Sequence, residues 1–356
     1  MERKRLTFNE YEVAHEHFYR VLWLQLTLRC PLSCKHCSVF SSPKRAEALT
    51  QEEIIRAIDG FAALESADIV CLTGGEPFAS EHLGSTLEYI RRKELRSYII
   101  TAAHWASTMD TARSALRQLQ PISLMSISAD RFHEPWVPVE SVLNAARVAL
   151  ELGIEVNIAT TSDPAGHDYL RKLHHALEPI RERISVYDTP LHEVGRSSEE
   201  HFQGTDTQLS APCPFLGAPV VTADGSVCAC CTPAETNLIS QTRRGKEHAL
   251  RLGTLRGADG NPIPAARERV QSDPLLAAIQ NLGPRWVFER AVQAGILSSN
   301  SVSKPKKICD FCAPLTRDPH VAQQLRTILS EGDAAVMVAF ASGASRRRRS
   351  LSQTLP

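Results

Sequence analysis

Apolar and polar positions alternate in two different rhythms between residue 20 and about residue 190, and each rhythm predicts an element. Short runs rich in β-branched or large apolar residues read as strands at Val21–Thr27, Asp68–Leu72, Tyr98–Thr101, Ser123–Ser128, Glu155–Thr160 and Ile184–Tyr187. Between them, apolar residues recur at helical spacing over Leu83–Arg92, Thr111–Gln118, Val139–Leu152 and Tyr169–Leu177. A further helix opens at Thr50-Gln-Glu-Glu53, a capping box, and runs toward Phe61. Gly153 is the expected stop after Leu152. Six βα units in succession predict an α/β fold with a parallel sheet, open or curled into a partial (βα)6 TIM-like barrel. In such sheets chemistry collects at the C-terminal ends of the strands.

The rhythm is lost after residue 195. Residues 196–210 are polar and read as a linker. A second region, 211–320, carries the turn Ala223-Asp224-Gly225 flanked by Val220-Val221 and Val227, which predicts a small β-hairpin. Residues 257–264 read as loop, and Pro274–Leu282 as a helix stopped by Gly283-Pro284. The remaining boundaries are an N-terminal extension over 1–20 and, over 321–356, a helix followed by a polar tail. That tail holds Arg346–Arg349 and is expected to be solvated.

Composition narrows the function classes. The 356 residues suffice for one large and one smaller domain. Hydrophobic residues make up 43% and charged residues 22%, as in a soluble globular protein. Lys+Arg and Asp+Glu both number 40, so no net field draws the chain to nucleic acid or membrane. No apolar run is long enough to span a bilayer, and the charged start Met1-Glu-Arg-Lys-Arg lacks a signal core. A cytoplasmic location follows as the expectation.

The ten cysteines change the picture most. They fall in groups: Cys30, Cys34 and Cys37; Cys213; Cys228, Cys230 and Cys231; Cys309 and Cys312. Cys71 stands apart from these groups, inside strand two, as a core residue would. In a reducing compartment such groups hold metal rather than disulfides. Three thiolates spaced C-x3-C-x2-C on one loop after the first strand can hold three irons of a 4Fe–4S cubane, and the fourth iron stays open for chemistry. Cys213, Cys230, Cys309 and Cys312 taken alone favour a four-cysteine zinc site.

Two motifs carry a resemblance to a known family. The C-x3-C-x2-C loop follows strand one, and Gly74-Gly75-Glu76-Pro77 follows strand two. In that order and place they resemble the radical S-adenosylmethionine (radical SAM) enzymes. The resemblance implies that Cys30, Cys34 and Cys37 ligate a 4Fe–4S cluster whose open iron is chelated by S-adenosylmethionine. It implies that backbone at Gly74, Gly75, Glu76 and Pro77 holds the cofactor's amino group. It also implies a 5′-deoxyadenosyl radical, made with an electron from a flavodoxin- or ferredoxin-like donor. His36 stands where the family often has an aromatic residue near the adenine. Thr101-Ala102-Ala103-His104 replaces a common Thr-Asn-Gly. Met125–His133 resembles the family's Ser-x-Asp stretch, which puts Ser128 and Asp130 near the cofactor, and Asn157 and Thr160 are candidates on strand five. Asp188, His192 and Glu193, at the end of strand six, are candidates for acid–base work on substrate.

The second region resembles the auxiliary-cluster domain called SPASM, or its shorter form, twitch, with Leu252-Gly253-Thr254-Leu255-Arg256 as a further mark. Beside a radical SAM core, one auxiliary 4Fe–4S cluster on Cys213, Cys230, Cys309 and Cys312 is the expectation. Cys228 or Cys231 could replace Cys230, because all three lie on one short strand, where alternation puts Cys228 and Cys230 on one face and turns Cys231 away. A leftover thiol could donate a hydrogen atom to a substrate radical. Only about 20 residues precede strand one, too few for a leader-peptide domain. The expected substrate is therefore a small molecule such as a sugar or nucleoside, oxidised, epimerised or decarboxylated. The alternatives are a ribosomally made peptide or protein as substrate, and a zinc-binding interaction protein without catalysis.

Overall fold

A computed structural model describes residues 20–331 apart from 120, 163, 192–193, 200–208, 214, 232–248, 258–259 and 306. The expected N-terminal extension (apart from Arg20), most of the linker and the Arg346–Arg349 tail lie outside the described residues.

The six strands appear in the expected order: β1 Val21–Thr27, β2 Ile69–Gly74, β3 Arg96–Thr101, β4 Leu124–Ser128, β5 Glu155–Ser162 and β6 Ser185–Pro190. All neighbouring pairs among them are parallel. The crossovers are α1 Gln51–Ala62, α2 Leu83–Arg92, α3 Met109–Gln118, α4 Val139–Glu151 and α5 His167–Leu177. This is an unclosed, barrel-like α/β sheet. In α1 the capping box forms as read: Thr50 Oγ1 accepts from Glu53 N–H, and Glu53 Oε2 accepts from Thr50 N–H at 2.7 Å.

Alternation sorts β1 into two faces. Leu22, Leu24 and Leu26 are fully buried in the large core shared with Ile54, Ile58, Phe61, Leu87 and Ile90 of the helices. Each such side chain is worth about 1.5–3 kcal/mol of burial. A one-residue slip would exchange all three for Trp23 and Gln25, so the register is fixed by burial. The opposite face carries a smaller cluster, in which Val21, Ile69, Cys71, Tyr98 and Leu124 pack with Trp23 and Ile100. Cys71 is a core residue there, fully buried.

The predicted hairpin forms, as β7 Val220–Val221 and β8 Ser226–Cys228. Its place was not predicted. β7 pairs in parallel with β1, and β9 (Arg251–Thr254) adds beyond β8, giving one nine-stranded sheet in the order β6-β5-β4-β3-β2-β1-β7-β8-β9. Among the described residues, five helices follow: α6 Ile263–Ser272, α7 Pro274–Leu282, α8 Pro284–Gln293, α9 Ile308–Thr316 and α10 Pro319–Ser330. Helix α6 begins inside the stretch read as loop. Arg56 of α1 joins the two regions by donating to the carbonyls of Leu255, Gly257 and Gly260. Among the described residues no helix is long and apolar enough to cross a membrane.

Candidate cofactor site

The loop after β1 is held open by its own backbone. Cys30 N–H donates to Ser42 O at 3.2 Å, Ser42 N–H returns to Leu28 O, and Cys37 N–H closes a turn on Cys34 O. Cys30 and Cys34 are buried and Cys37 is half-buried. Amides already point at the sulfurs: Leu32 N–H donates to Cys30 Sγ at 3.4 Å and Ser41 N–H to Cys37 Sγ at 3.3 Å. Burial pushes the Cys30 thiol up to about 12, and the negative charges of Glu76, Cys34 and Cys37 beside it push the same way. Such a group ionises readily only when cations balance it. Three cysteines on one loop, two of whose sulfurs already accept amide hydrogen bonds, fit a three-cysteine iron–sulfur cluster.

The Gly-Gly-Glu-Pro turn packs directly on this loop. Gly75 N–H donates to Thr27 O at 2.6 Å and Glu76 N–H to Arg29 O at 3.0 Å. A Cβ on Gly74 would run into Thr27 O, and one on Gly75 into Arg29 O. The glycines are needed for this contact between strand ends, and Gly74 also has φ 122°. The amides of Gly75 and Glu76 are thus occupied, and Glu76 O accepts from Ala79 N–H at 2.9 Å. Pro77 starts the short 3-10 turn Pro77–Ala79.

Glu76 is almost fully buried, and its side chain works within the protein. Oε1 accepts from Thr101 Oγ1 at 2.9 Å and from Phe78 N–H at 3.2 Å, and Oε2 from Ala102 N–H at 3.0 Å. Thr101 Oγ1 in turn accepts from Trp105 Nε1 and Ala103 N–H, and Trp105 stacks on Phe78 at 4.3 Å. Residues 101–103, which depart from the family's Thr-Asn-Gly, form this knot instead. The signal was a buried-type Glu beside a Thr at the next strand end. His104 Nδ1 lies 3.7 Å from Glu76 Oε2, beyond hydrogen-bond reach.

After β4, Asp130 is buried and saturated. Its Oδ1 accepts from Phe132 N–H at 2.9 Å and His133 N–H at 3.2 Å and meets His133 Nδ1 at 2.9 Å. Its Oδ2 meets His36 Nε2 at 3.2 Å. Burial alone would raise this carboxyl, but His133 and His36 outweigh it and hold the group far below the usual carboxylate range. Burial opposes the charge on His133, yet Asp130, with a contact to Cys34, pushes the imidazole up to about 10. His36 stacks on Phe132 at 4.6 Å, so one of its faces is taken, and it meets His133 edge-on at 4.9 Å. One ring nitrogen from each of His36 and His133 and a carboxylate oxygen of Asp130 lie within 4.8 Å of one another, with both imidazoles meeting Asp130. Ser128 closes β4, half-buried.

On β5, Asn157 and Thr160 stand on opposite faces. Asn157 Nδ2 donates to Ser126 Oγ at 3.1 Å. Thr160 Oγ1 donates to Asp188 Oδ1 at 2.6 Å, and Asp188 is exposed. His192 and Glu193 lie outside the described residues. Asn157 Oδ1, His36 Nδ1 and His104 Nδ1 are buried without a hydrogen-bond partner. Buried polar atoms of this kind are satisfied by a polar ligand or ordered water, which suits a cofactor rich in amino, carboxylate and ribose groups.

A second group of sulfurs forms in the helical region. Cys309 and Cys312 share one face of α9 at i and i+3. Burial and the neighbouring Cys309 push the Cys213 thiol up to about 11. Burial, Cys213 and Cys309 together raise Cys312. Cys228 is elsewhere: burial pushes it up to about 12, and its charged neighbours are Asp224 and Arg251, with no cysteine among them. Strand β8 ends at Cys228, so alternation no longer pairs it with Cys230. Cys230 is buried in the main core and Cys231 is half-buried.

Comparison with known proteins places this geometry. Residues 24–167 match the family model of the Radical SAM superfamily. A Bacillus subtilis (strain 168) protein, YydG, whose name connects it with peptide biosynthesis, is 24% identical over 312 residues, covering 84% of this chain and 92% of that protein. The fold is similar to that of Streptococcus suis SuiB, solved bound to the precursor peptide SuiA, with a TM-score of 0.53 and 14% identity over 76% of this chain and 69% of that one. The matched segment runs from β1 into the start of α5 and contains the cluster loop, the Gly-Gly-Glu-Pro turn and Asp130. The chain therefore carries a radical SAM domain. Proteins of this superfamily are enzymes that use a 4Fe–4S cluster and S-adenosylmethionine.

Proposed function

We propose that this radical SAM enzyme modifies a ribosomally made peptide or protein, in the cytoplasm. The observation that carries the reading is the likeness to YydG along nearly the full length of both chains. The peptide held by SuiB, whose fold is similar, supports it. The small-molecule expectation rested on the short stretch before β1, and a peptide can equally be presented by a separate protein.

When bound, the cluster and S-adenosylmethionine would supply the radical chemistry for hydrogen abstraction from substrate. Cys30, Cys34 and Cys37 would hold the cluster. The carbonyls of Gly74 and Gly75 would accept from the cofactor's amino group, since the amides of this turn are spent on β1. Pro77 and the Glu76 knot fix that turn from behind. Ser128 and Asn157 would bond the cofactor's polar groups. Asp130 holds His36 and His133 in place beside the cluster loop, rather than binding cofactor through a free oxygen. Cys213, Cys309 and Cys312, with Cys230 or Cys231, would form the twitch-like auxiliary site, and a flavodoxin- or ferredoxin-like protein would supply electrons.

The test is anaerobic turnover with dithionite, S-adenosylmethionine and the short peptides encoded beside the gene. The reading expects 5′-deoxyadenosine and a mass or stereochemical change in one peptide. Formation of 5′-deoxyadenosine stimulated only by sugars or nucleosides would return the small-molecule reading. A colourless protein holding zinc and no iron would remove catalysis altogether.

A further inference from the structure

The chain leaving β6 returns to the cluster loop. Gly195 sits there with φ 57°, in the left-handed region, and a Cβ on it would run into the carbonyl oxygens of Cys37 and Ser38. The next residue, Arg196, makes three hydrogen bonds into the loop. Its amide donates to Cys37 O at 3.0 Å, its Nε to Cys34 O at 2.9 Å and its Nη2 to Ser41 O at 2.8 Å. Two of these carbonyls belong to the residues that carry candidate ligand sulfurs. The third belongs to Ser41, whose own amide donates to Cys37 Sγ.

We infer that Arg196 is a positioning residue for the iron–sulfur site, acting in two ways. It clamps the outer half of the loop, from Cys34 to Ser41, so that two sulfurs are set before iron arrives. It also places a positive charge beside the Cys34–Ser41 half of the loop, which carries two of the three sulfurs. Among the described residues the guanidinium's hydrogen-bond partners are carbonyls, Cys34 O and Ser41 O. The planar fork matters: two nitrogens of one rigid group reach two carbonyls at once, which a lysine ammonium on a flexible stem cannot do with the same order. Gly195 is what lets the backbone come near enough for the Arg196 amide to join. The clamp spans more than 150 positions of sequence, with |i−j| of 162 for Cys34 and 155 for Ser41. It therefore forms only in the folded barrel and ties cluster binding to the closing segment of the sheet.

The inference rests on the radical SAM reading, and the experiment separates the two. Wild-type protein, Arg196→Met and Arg196→Lys are reconstituted anaerobically with iron and sulfide. The readouts are the rate of iron loss to a chelator and the midpoint potential of the cluster whose electron paramagnetic resonance signal shifts on adding S-adenosylmethionine. Hydrogen exchange over residues 30–41 is followed in the apo-proteins. Arg196→Met is expected to lose iron about 10–100-fold faster, as when a ligand's supporting contacts are removed. It should also show a more negative potential and faster exchange confined to the loop. Arg196→Lys should keep the potential near wild type and still lose iron faster, because charge is restored without the fork. Loss rates and potential in Arg196→Met equal to wild type overturn the inference. If Arg196→Met does not fold, Arg196→Lys with a wild-type loss rate and wild-type exchange overturns the clamp. Wild-type protein that takes up no such cluster overturns the radical SAM reading itself.

Discussion

The two sulfur sites are built in opposite ways. The first puts Cys30, Cys34 and Cys37 on one loop, and local backbone bonds shape it before the rest of the chain contributes Arg196. The second draws Cys213 from the segment packed on α7 and Cys309 and Cys312 from one face of α9. Its geometry depends on how α7, α8 and α9 pack, with Phe288 of α8 against Phe311 of α9 at 5.5 Å. A local site reports itself through spacing. An assembled site reports only its members, and the fold must choose among them. That is why the triplet was legible at once, while Cys228, Cys230 and Cys231 looked interchangeable until the structure set Cys228 apart.

The comparison breaks most sharply on cysteine variants. Cys34→Ala should abolish 5′-deoxyadenosine formation, with iron falling from about eight to about four per chain. Cys312→Ala should lose a similar amount of iron yet still cleave S-adenosylmethionine, with peptide modification lost. Cys228→Ser should change neither iron count, because that sulfur stands in β8 beside Asp224 and Arg251. Iron analysis with product assays reads all three. A Cys228→Ser protein lacking the second cluster would place Cys228 among its ligands.

A smaller effect tests what lies behind the first site. Glu76→Gln replaces a carboxylate that accepts from Thr101, Phe78 and Ala102. An amide presents two N–H groups where only acceptors are wanted, leaving at least one buried donor facing another. The expected loss is about 1–3 kcal/mol of stability, read by denaturant unfolding of the apo-protein. Unchanged stability would mean that the knot does not hold the turn.

The sequence made the barrel legible because each βα unit is local: β1 was read to the residue, and α1 from its capping box. β2 runs two residues beyond its reading, through Thr73 and Gly74, because pairing with β1 holds those residues in line despite their weak strand propensity. The hairpin was legible, but its addition to β1 was not, since strand pairing across nearly 200 positions leaves no local mark. Arg196 was hidden for a related reason. Gly195-Arg196-Ser197-Ser198 has the composition of a solvated loop, and only the meeting with Cys34 and Ser41 makes it part of the site. Phe132, stacked under His36, carried no signal beyond being apolar after a strand.

The smallest effect bears on where the two regions join. Glu53 closes the capping box on Thr50 and also pairs with Arg256 beyond β9 at 2.7 Å, so one carboxylate serves a local motif and a long-range contact. Thr50→Ala removes the side-chain half of the box, worth about 0.5–2 kcal/mol. Because Glu53 N–H would then lose its acceptor while Glu53 keeps Arg256, the cost should fall on the start of α1 and leave the hairpin contact intact. Hydrogen exchange should rise at residues 51–54 and stay unchanged at 254–257. Equal increases at both places would mean that the cap and the inter-region contact are one cooperative unit. The assembled half of the molecule would then lean on the local half more heavily than its separate cysteine site implies.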